Sequence, residues 1–165
     1  MKRILAVAAV VALLAGCGGD RPDAPYGHKW GQTIDEVKKT ASNEFECEVG
    51  DRITICVDGF ATIEFPSMQS VMYFFTKNEG LVQIDLRSKA FDRGANEATE
   101  SIDELSKLSK LIKKDYNPKS EELISDKENL FRFNGYTMSV KVDDSGLKSD
   151  VYPISQVIIS YKYDK

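Results

Sequence analysis

From Phe45 to Ser88 apolar residues recur at every second position, and the run is punctuated by turn dipeptides. Ile53, Ile55 and Val57 alternate with Thr54 and Cys56; Val82, Ile84 and Leu86 alternate with Gln83, Asp85 and Arg87. A side-chain period of two belongs to strands, because successive side chains point to opposite faces of a sheet. Asp58-Gly59 stands between the first alternating run and Phe60–Phe65, which is the strongest short hairpin signal, and Pro66 ends that strand. Asn78-Glu79-Gly80 joins 71–77 to 81–88. The pattern returns late in the chain. Leu130–Phe133 and Tyr136–Val142 flank Asn134-Gly135, and Val157, Ile159, Tyr161 and Tyr163 alternate to the C-terminus. Short turns and one wet face per strand predict an antiparallel meander.

Two segments break the period. In "WGQTIDEVKK" Thr33 and Glu36 form a T-x-x-E capping box, with Ile34, Val37 and Ala41 at helical spacing, so a short helix is expected over about 33–42. A longer helix is expected over about 96–116. Ile102, Leu105, Leu108, Leu111 and Ile112 form its apolar stripe, and Tyr116-Asn117-Pro118 stops it. The expected class is therefore α+β: an antiparallel meander sheet packed by one short and one longer helix. "TIDEV" at 33–37 returns as "SIDEL" at 101–105, each ahead of a set of hairpins. This echo fits either a duplicated helix-plus-strands unit or the chance recurrence of a common cap.

The N-terminus is different in kind. Lys2 and Arg3 precede twelve consecutive apolar residues, Ile4–Ala15. A membrane-spanning helix needs about 20, whereas a positive start and a short apolar core are the pattern of an export signal. The core ends in Leu14-Ala15-Gly16-Cys17, which resembles the lipobox of bacterial lipoproteins. The resemblance implies cleavage after Gly16, with 1–16 removed as signal peptide, and a lipid on the Cys17 sulfur that ties the protein to the membrane. In that family the residue after the cysteine directs sorting. Gly18 in place of Asp implies the outer membrane, facing the periplasm. Residues 17–25, "CGGDRPDAP", read as a flexible tether, and 26–165 as one globular domain.

Removing the leader takes away Lys2 and Arg3 and no acid, so a net charge of −4 becomes −6. That excludes the basic stripe of a nucleic-acid-binding protein. With Cys17 acylated, Cys47 and Cys56 remain as an even pair in an oxidising compartment. "CEVGDRITIC" reads as a hairpin turning at Asp51-Arg52, which sets the two cysteines across from one another as a disulfide.

The opening W-G-x-T-x-x-E-V, Trp30 to Val37, resembles the start of helix-plus-antiparallel-sheet modules of the BamE-like and β-lactamase-inhibitor-like envelope families. The Gly-x-Pro that closes the first helix in those families is replaced here by "TASNEF".

Catalytic and metal motifs are missing. The one histidine is His28, and no G-x-S-x-G turn, phosphate loop, H-E-x-x-H or Cys-x-x-Cys occurs. No catalytic residue, metal or cofactor is expected. Two carboxylates suffice for a glycosidase, and Asp58, Glu64, Glu79 and Asp85 are strand or turn acids in the first sheet, with nothing to single out two of them. Aromatic residues offer the better candidate surface. Tyr73, Phe74 and Phe75 are consecutive in one strand, so each face carries a ring, and Trp30 stands just before the first helix. The expectation is a lipid-anchored binding protein of the envelope. It would hold another envelope protein, as accessory or scaffold or as inhibitor or immunity protein. A carboxylate-based cell-wall glycan hydrolase is the alternative.

Overall fold

A computed structural model describes residues 21–41, 45–59, 65, 67–92, 97–144 and 154–164. The signal peptide, Cys17 and residues 17–20 of the expected tether lie outside the described residues. So do 60–64, Pro66 and most of the 143–150 loop.

Among the described residues, two α-helices pack on one antiparallel sheet. Helix α1 is Ile34–Lys38 and α2 is Glu97–Tyr116; the strands are β1 Phe45–Val49, β2 Ile53–Asp58, β3 Met68–Thr76, β4 Gly80–Ser88, β5 Phe91–Asp92, β6 Ser120–Ser125, β7 Glu128–Arg132, β8 Tyr136–Asp143 and β9 Ile154–Tyr163. Eight strands run in the order β1-β2-β3-β4-β9-β8-β7-β6, and the short β5 pairs separately with β9. The element order is a helix followed by a four-strand meander, twice, and the last strands of the two meanders, β4 and β9, pair at the centre. "SIDEL" is not a second cap. It lies inside α2, with Ser101 buried.

The capping box of α1 forms as its residues dictate: the Glu36 amide donates to Thr33 Oγ1, and Glu36 Oε2 accepts from the Thr33 amide. The helix is shorter than its spacing suggested. Thr40 closes it by donating both its amide and its hydroxyl to the Val37 carbonyl. In α2 the buried side chains are Ser101, Leu105, Leu108, Ser109 and Ile112, whereas Leu111 is exposed at the stripe's edge. Asn129 of β7 donates to Ser109 Oγ at 2.8 Å and ties α2 to the sheet, and Lys113 pairs with Glu121 of β6 at 2.6 Å.

The strand expected over 60–65 lies outside the described residues except for Phe65, a buried bend; the described neighbours of β2 are β1 and β3. Three strand assignments differ from the sequence reading. In β4, Phe74 faces Gln83 and Phe75 faces Leu81, which leaves Val82 as an extra residue. The core side of β4 is therefore Leu81, Ile84 and Leu86. Strands β5 and β6 have no counterpart in the sequence reading.

The folded body also begins earlier than Tyr26. The Trp30 amide donates to the Pro22 carbonyl, Asp23 bridges to Lys29, and Arg21 pairs with Glu36 at 3.0 Å. This segment is clamped to the β3–β4 turn: Gly31 donates to the Leu81 carbonyl, and Leu81 donates back to Gln32.

Candidate functional site: the uncovered face of the sheet

One face of the sheet carries the core. Cys56, Val71, Tyr73, Phe75, Leu81, Ile84, Leu86, Ile159, Tyr161, Met138, Val140 and Phe131 lie there, under Trp30 and Val37 on one half and Leu105, Leu108 and Ile112 on the other. The register of the strands fixes what lies on the opposite face. One row runs Glu48, Ile55, Phe74, Gln83, Lys162, Thr137, Arg132; the next runs Glu46, Val57, Met72, Asp85, Ser160, Ser139, Leu130, Glu122. None of these residues belongs to the core cluster.

Apolar side chains of this face lie on β2 and β3, with Leu130 on β7 and Ile158 on β9; Ile158 is only 2% exposed, so the face is open over β2 and β3 and covered where β4 meets β9. Ile53 is 46% exposed and Val57 37%, and Ile55, Met72 and Phe74 are half-buried. Strand β2 is inverted relative to the usual rule: its apolar residues face outward, while Thr54, Cys56 and Asp58 face the core side. Contiguous exposed apolar surface of this kind marks interaction sites. The hairpin that carries it is stapled. Cys47 and Cys56 are direct partners in the β1–β2 register and form a disulfide, and the turn at Asp51-Arg52 is closed by the Gly50 amide donating to Ile53.

The aromatic residues singled out from sequence divide between the two faces. Trp30, Tyr73 and Phe75 are buried in the core, with Trp30 stacked on Tyr163 at 5.9 Å between ring centroids. They are not part of an accessible surface. Phe74 alone of the four projects to the open face, where Ile55 is its direct cross-strand neighbour. Sequence reasoning missed Ile53, Ile55, Val57 and Met72. Alternation shows that the isoleucines lie opposite Cys56, but which of the two faces the helices cover is not written in the local pattern.

The open face also holds an ionisable group in an unusual setting. Asp85 is buried, and its loss of hydration pushes its pKa upward. Hydrogen bonds from Gln83 (2.8 Å) and Ser160, and the nearby charges of Arg87 and Lys141, pull it partly back.

The acids considered for glycan hydrolysis are not brought together. Asp58 is buried on the core side at one end of β2, Asp85 lies on the opposite face, and Glu79 is in the β3–β4 turn. Glu64 lies outside the described residues. Asp58 pairs with Val71 and the Glu79 turn follows Thr76. At about 3.3 Å per residue the two ends are roughly 17 Å apart, beyond the roughly 5–9.5 Å that either glycosidase geometry uses.

His28 is buried under the N-terminal segment. Its Nε2 lies 3.4 Å from the Tyr73 hydroxyl, with the rings edge to face at 5.2 Å. Burial lowers the His28 pKa, partly offset by Gln32 and by the charge of Asp58. The Tyr73 pKa is raised by burial and by Asp58. Both side chains are buried, and the pair reads as a packed polar contact.

Two clefts of about 580 and 570 Å³ flank the helices. One lies between α1 and the β3–β4 turn, and the other between α2 and the start of β3. The first is lined by Ile34 and Phe75 together with Asp35, Lys77 and Glu79, the second by Phe91 with acids and lysines. Among the described residues no three His, Cys, Asp or Glu side chains gather as a metal site, and no helix is long and apolar enough to cross a membrane. Comparison with protein-family models, curated proteins and solved structures finds no match to this chain.

Proposed function

We propose that this chain is an exported envelope lipoprotein that binds another protein against the uncovered face of its sheet. The observation that carries this reading is the inverted β2 strand, which turns Ile53, Ile55 and Val57 outward beside Met72 and Phe74. An apolar strip of this kind is costly to leave in water and gains free energy when a partner covers it. The disulfide staple supports the same role, because a hairpin already held in shape loses less entropy on binding. The likeness of Trp30–Val37 to envelope modules also favours it. The partner role is that of accessory or scaffold, or of inhibitor or immunity protein. The dispersed acids weigh against the hydrolase alternative.

The anchor is Cys17, with the body on the periplasmic side of the outer membrane. Only residues 18–20 separate that cysteine from Arg21, a reach of at most about 14 Å. The body is thus held close to the lipid surface. The Cys47–Cys56 disulfide suits an exported chain.

Co-purification from crosslinked envelopes tests the binding reading. The wild-type chain should recover one protein reproducibly, and Phe74→Asp should lose it while remaining folded. Equal recovery by wild type and Phe74→Asp would refute a role for this face. Mass spectrometry of the extracted protein tests the anchor: the N-terminus should be a diacylglycerol-modified Cys17, and an intact leader would contradict it.

A further inference from the structure

The rows of the open face carry an order of chemistry that matches itself. Glu48, Ile55, Phe74, Gln83 and Lys162 lie side by side on β1, β2, β3, β4 and β9: an acid, an aliphatic, an aromatic, an amide and a base. Phe74 is the middle of the five. With strands about 4.8 Å apart, the acid and the base each stand roughly 10 Å from it, on opposite sides. Glu48 and Lys162 are both exposed, and neither has an ion-pair partner among the described residues.

We propose that the open face takes a second copy of this chain, packed face to face about a two-fold axis that runs along the strands over Phe74. The proposal rests on the reading of this face as a binding surface and names an occupant for it. Rotation about that axis lays β1 of one copy over β9 of the other. Glu48 then meets the second copy's Lys162, and the symmetry repeats the pair. Phe74 meets Phe74, Met72 meets Met72, and Ile55 lies over Gln83. In the neighbouring row Glu46 falls over Ser160 and Val57 over the backbone position of Asp85, whose own side chain is buried and held by Gln83 and so offers the second copy no charge. Arg87, also on β4, borders the overlap, and Lys141 and Arg132 lie beyond it on β8 and β7. A two-fold axis running across the strands would instead set β1 on β1 and β9 on β9, acid against acid and base against base. Charge therefore selects one of the two ways to pair the sheets. The interface is isologous, as a dimer requires, and its ion pairs are exposed enough to weaken with salt.

Sedimentation velocity of the detergent-extracted full chain over a concentration series tests this. A dimer is expected that dissociates as salt rises. Glu48→Lys and Lys162→Glu should each raise the dissociation constant by about tenfold or more, because each sets like charges opposite one another. The double reversal Glu48→Lys/Lys162→Glu should restore the wild-type value. Both residues are exposed, and an unchanged circular dichroism spectrum confirms the fold of each variant. A monomer at every concentration, or a dimer indifferent to the single reversals, would overturn the proposal. If the chain is monomeric and Phe74 still crosslinks to a different protein, the dimer fails and the binding reading stands. If the dimer behaves as described and no other protein is recovered, the dimer stands and the hetero-partner reading fails.

Discussion

Ile55 lies directly across from Phe74 on the face of the sheet opposite helices α1 and α2. The next residue, Phe75, lies across from Thr54 and is buried beneath the helices. Two adjacent phenylalanines thus have opposite roles. Truncation of Phe75 to Ala should cost about 3–5 kcal/mol, as for a core aromatic. Truncation of Phe74, already half in water, should cost no more than about 1 kcal/mol. Urea unfolding of the two variants checks the difference. Equal losses would mean that Phe74 is covered.

The Cys47–Cys56 disulfide closes a ten-residue segment. A loop of that size contributes about 2–3 kcal/mol through restriction of the unfolded chain. Unfolding with and without reductant should show that loss. Binding through the open face should weaken as well, because β1 and β2 carry the acidic and apolar parts of it.

Gly80 stands at φ +67°, and a Cβ there would lie 2.5 Å from the Gly31 carbonyl oxygen and 2.6 Å from that of Gln32. Neither backbone atom can move aside without breaking the Gly31–Leu81 and Leu81–Gln32 hydrogen bonds. Gly80→Ala should therefore destabilise by more than about 1 kcal/mol, which thermal unfolding would register. Gly135, also at positive φ, has open space around its would-be Cβ and should suffer only the conformational penalty.

Burial holds the His28 pKa below its ordinary value of 6.5. The folded state thus favours the neutral ring. Its contribution to stability is complete above the unfolded value and is lost as pH falls from 6.5 through the folded one. Stability measured from pH 8 to pH 5 should decline toward the acid side, and His28→Gln should flatten that limb. An unchanged slope in the variant would assign the decline to other groups.

Asp85 has the opposite sign. Its folded pKa is raised, chiefly by burial, so the protonated form is favoured and the contribution to stability is complete below the unfolded value and lost as pH rises through the folded one. Asp85→Asn keeps an oxygen for the Gln83 amide and removes the charge. The variant should be more stable than wild type at neutral pH and should lose that advantage in acid. Denaturation midpoints at both pH values decide it.

The sequence was most legible where burial and local geometry agree. Thr33 and Glu36 announced their cap, Asn134-Gly135 its turn, and the cysteines their register, because each depends on atoms a few residues apart. Strand β6 left no trace. All six of its residues are exposed, so no alternation marks it, and it is held by pairing with β7 and by the Lys113–Glu121 bridge. The candidate site was half visible. The Tyr73-Phe74-Phe75 run showed that both faces carry rings, but the direction of Ile53, Ile55 and Val57 depends on which side of β2 the helices cover. That is a tertiary fact.

The central claim is that the open face, and not the helical one, meets the partner. Site-specific photocrosslinking in intact envelopes tests it most directly, with the reactive side chain placed in turn at Ile55, Phe74 and Gln83 on the open face and at Ser106 and Lys110 on the exposed side of α2. Discrete protein adducts should form from the first three positions and none from the last two. Adducts from α2 alone, or none from Phe74, would contradict the account.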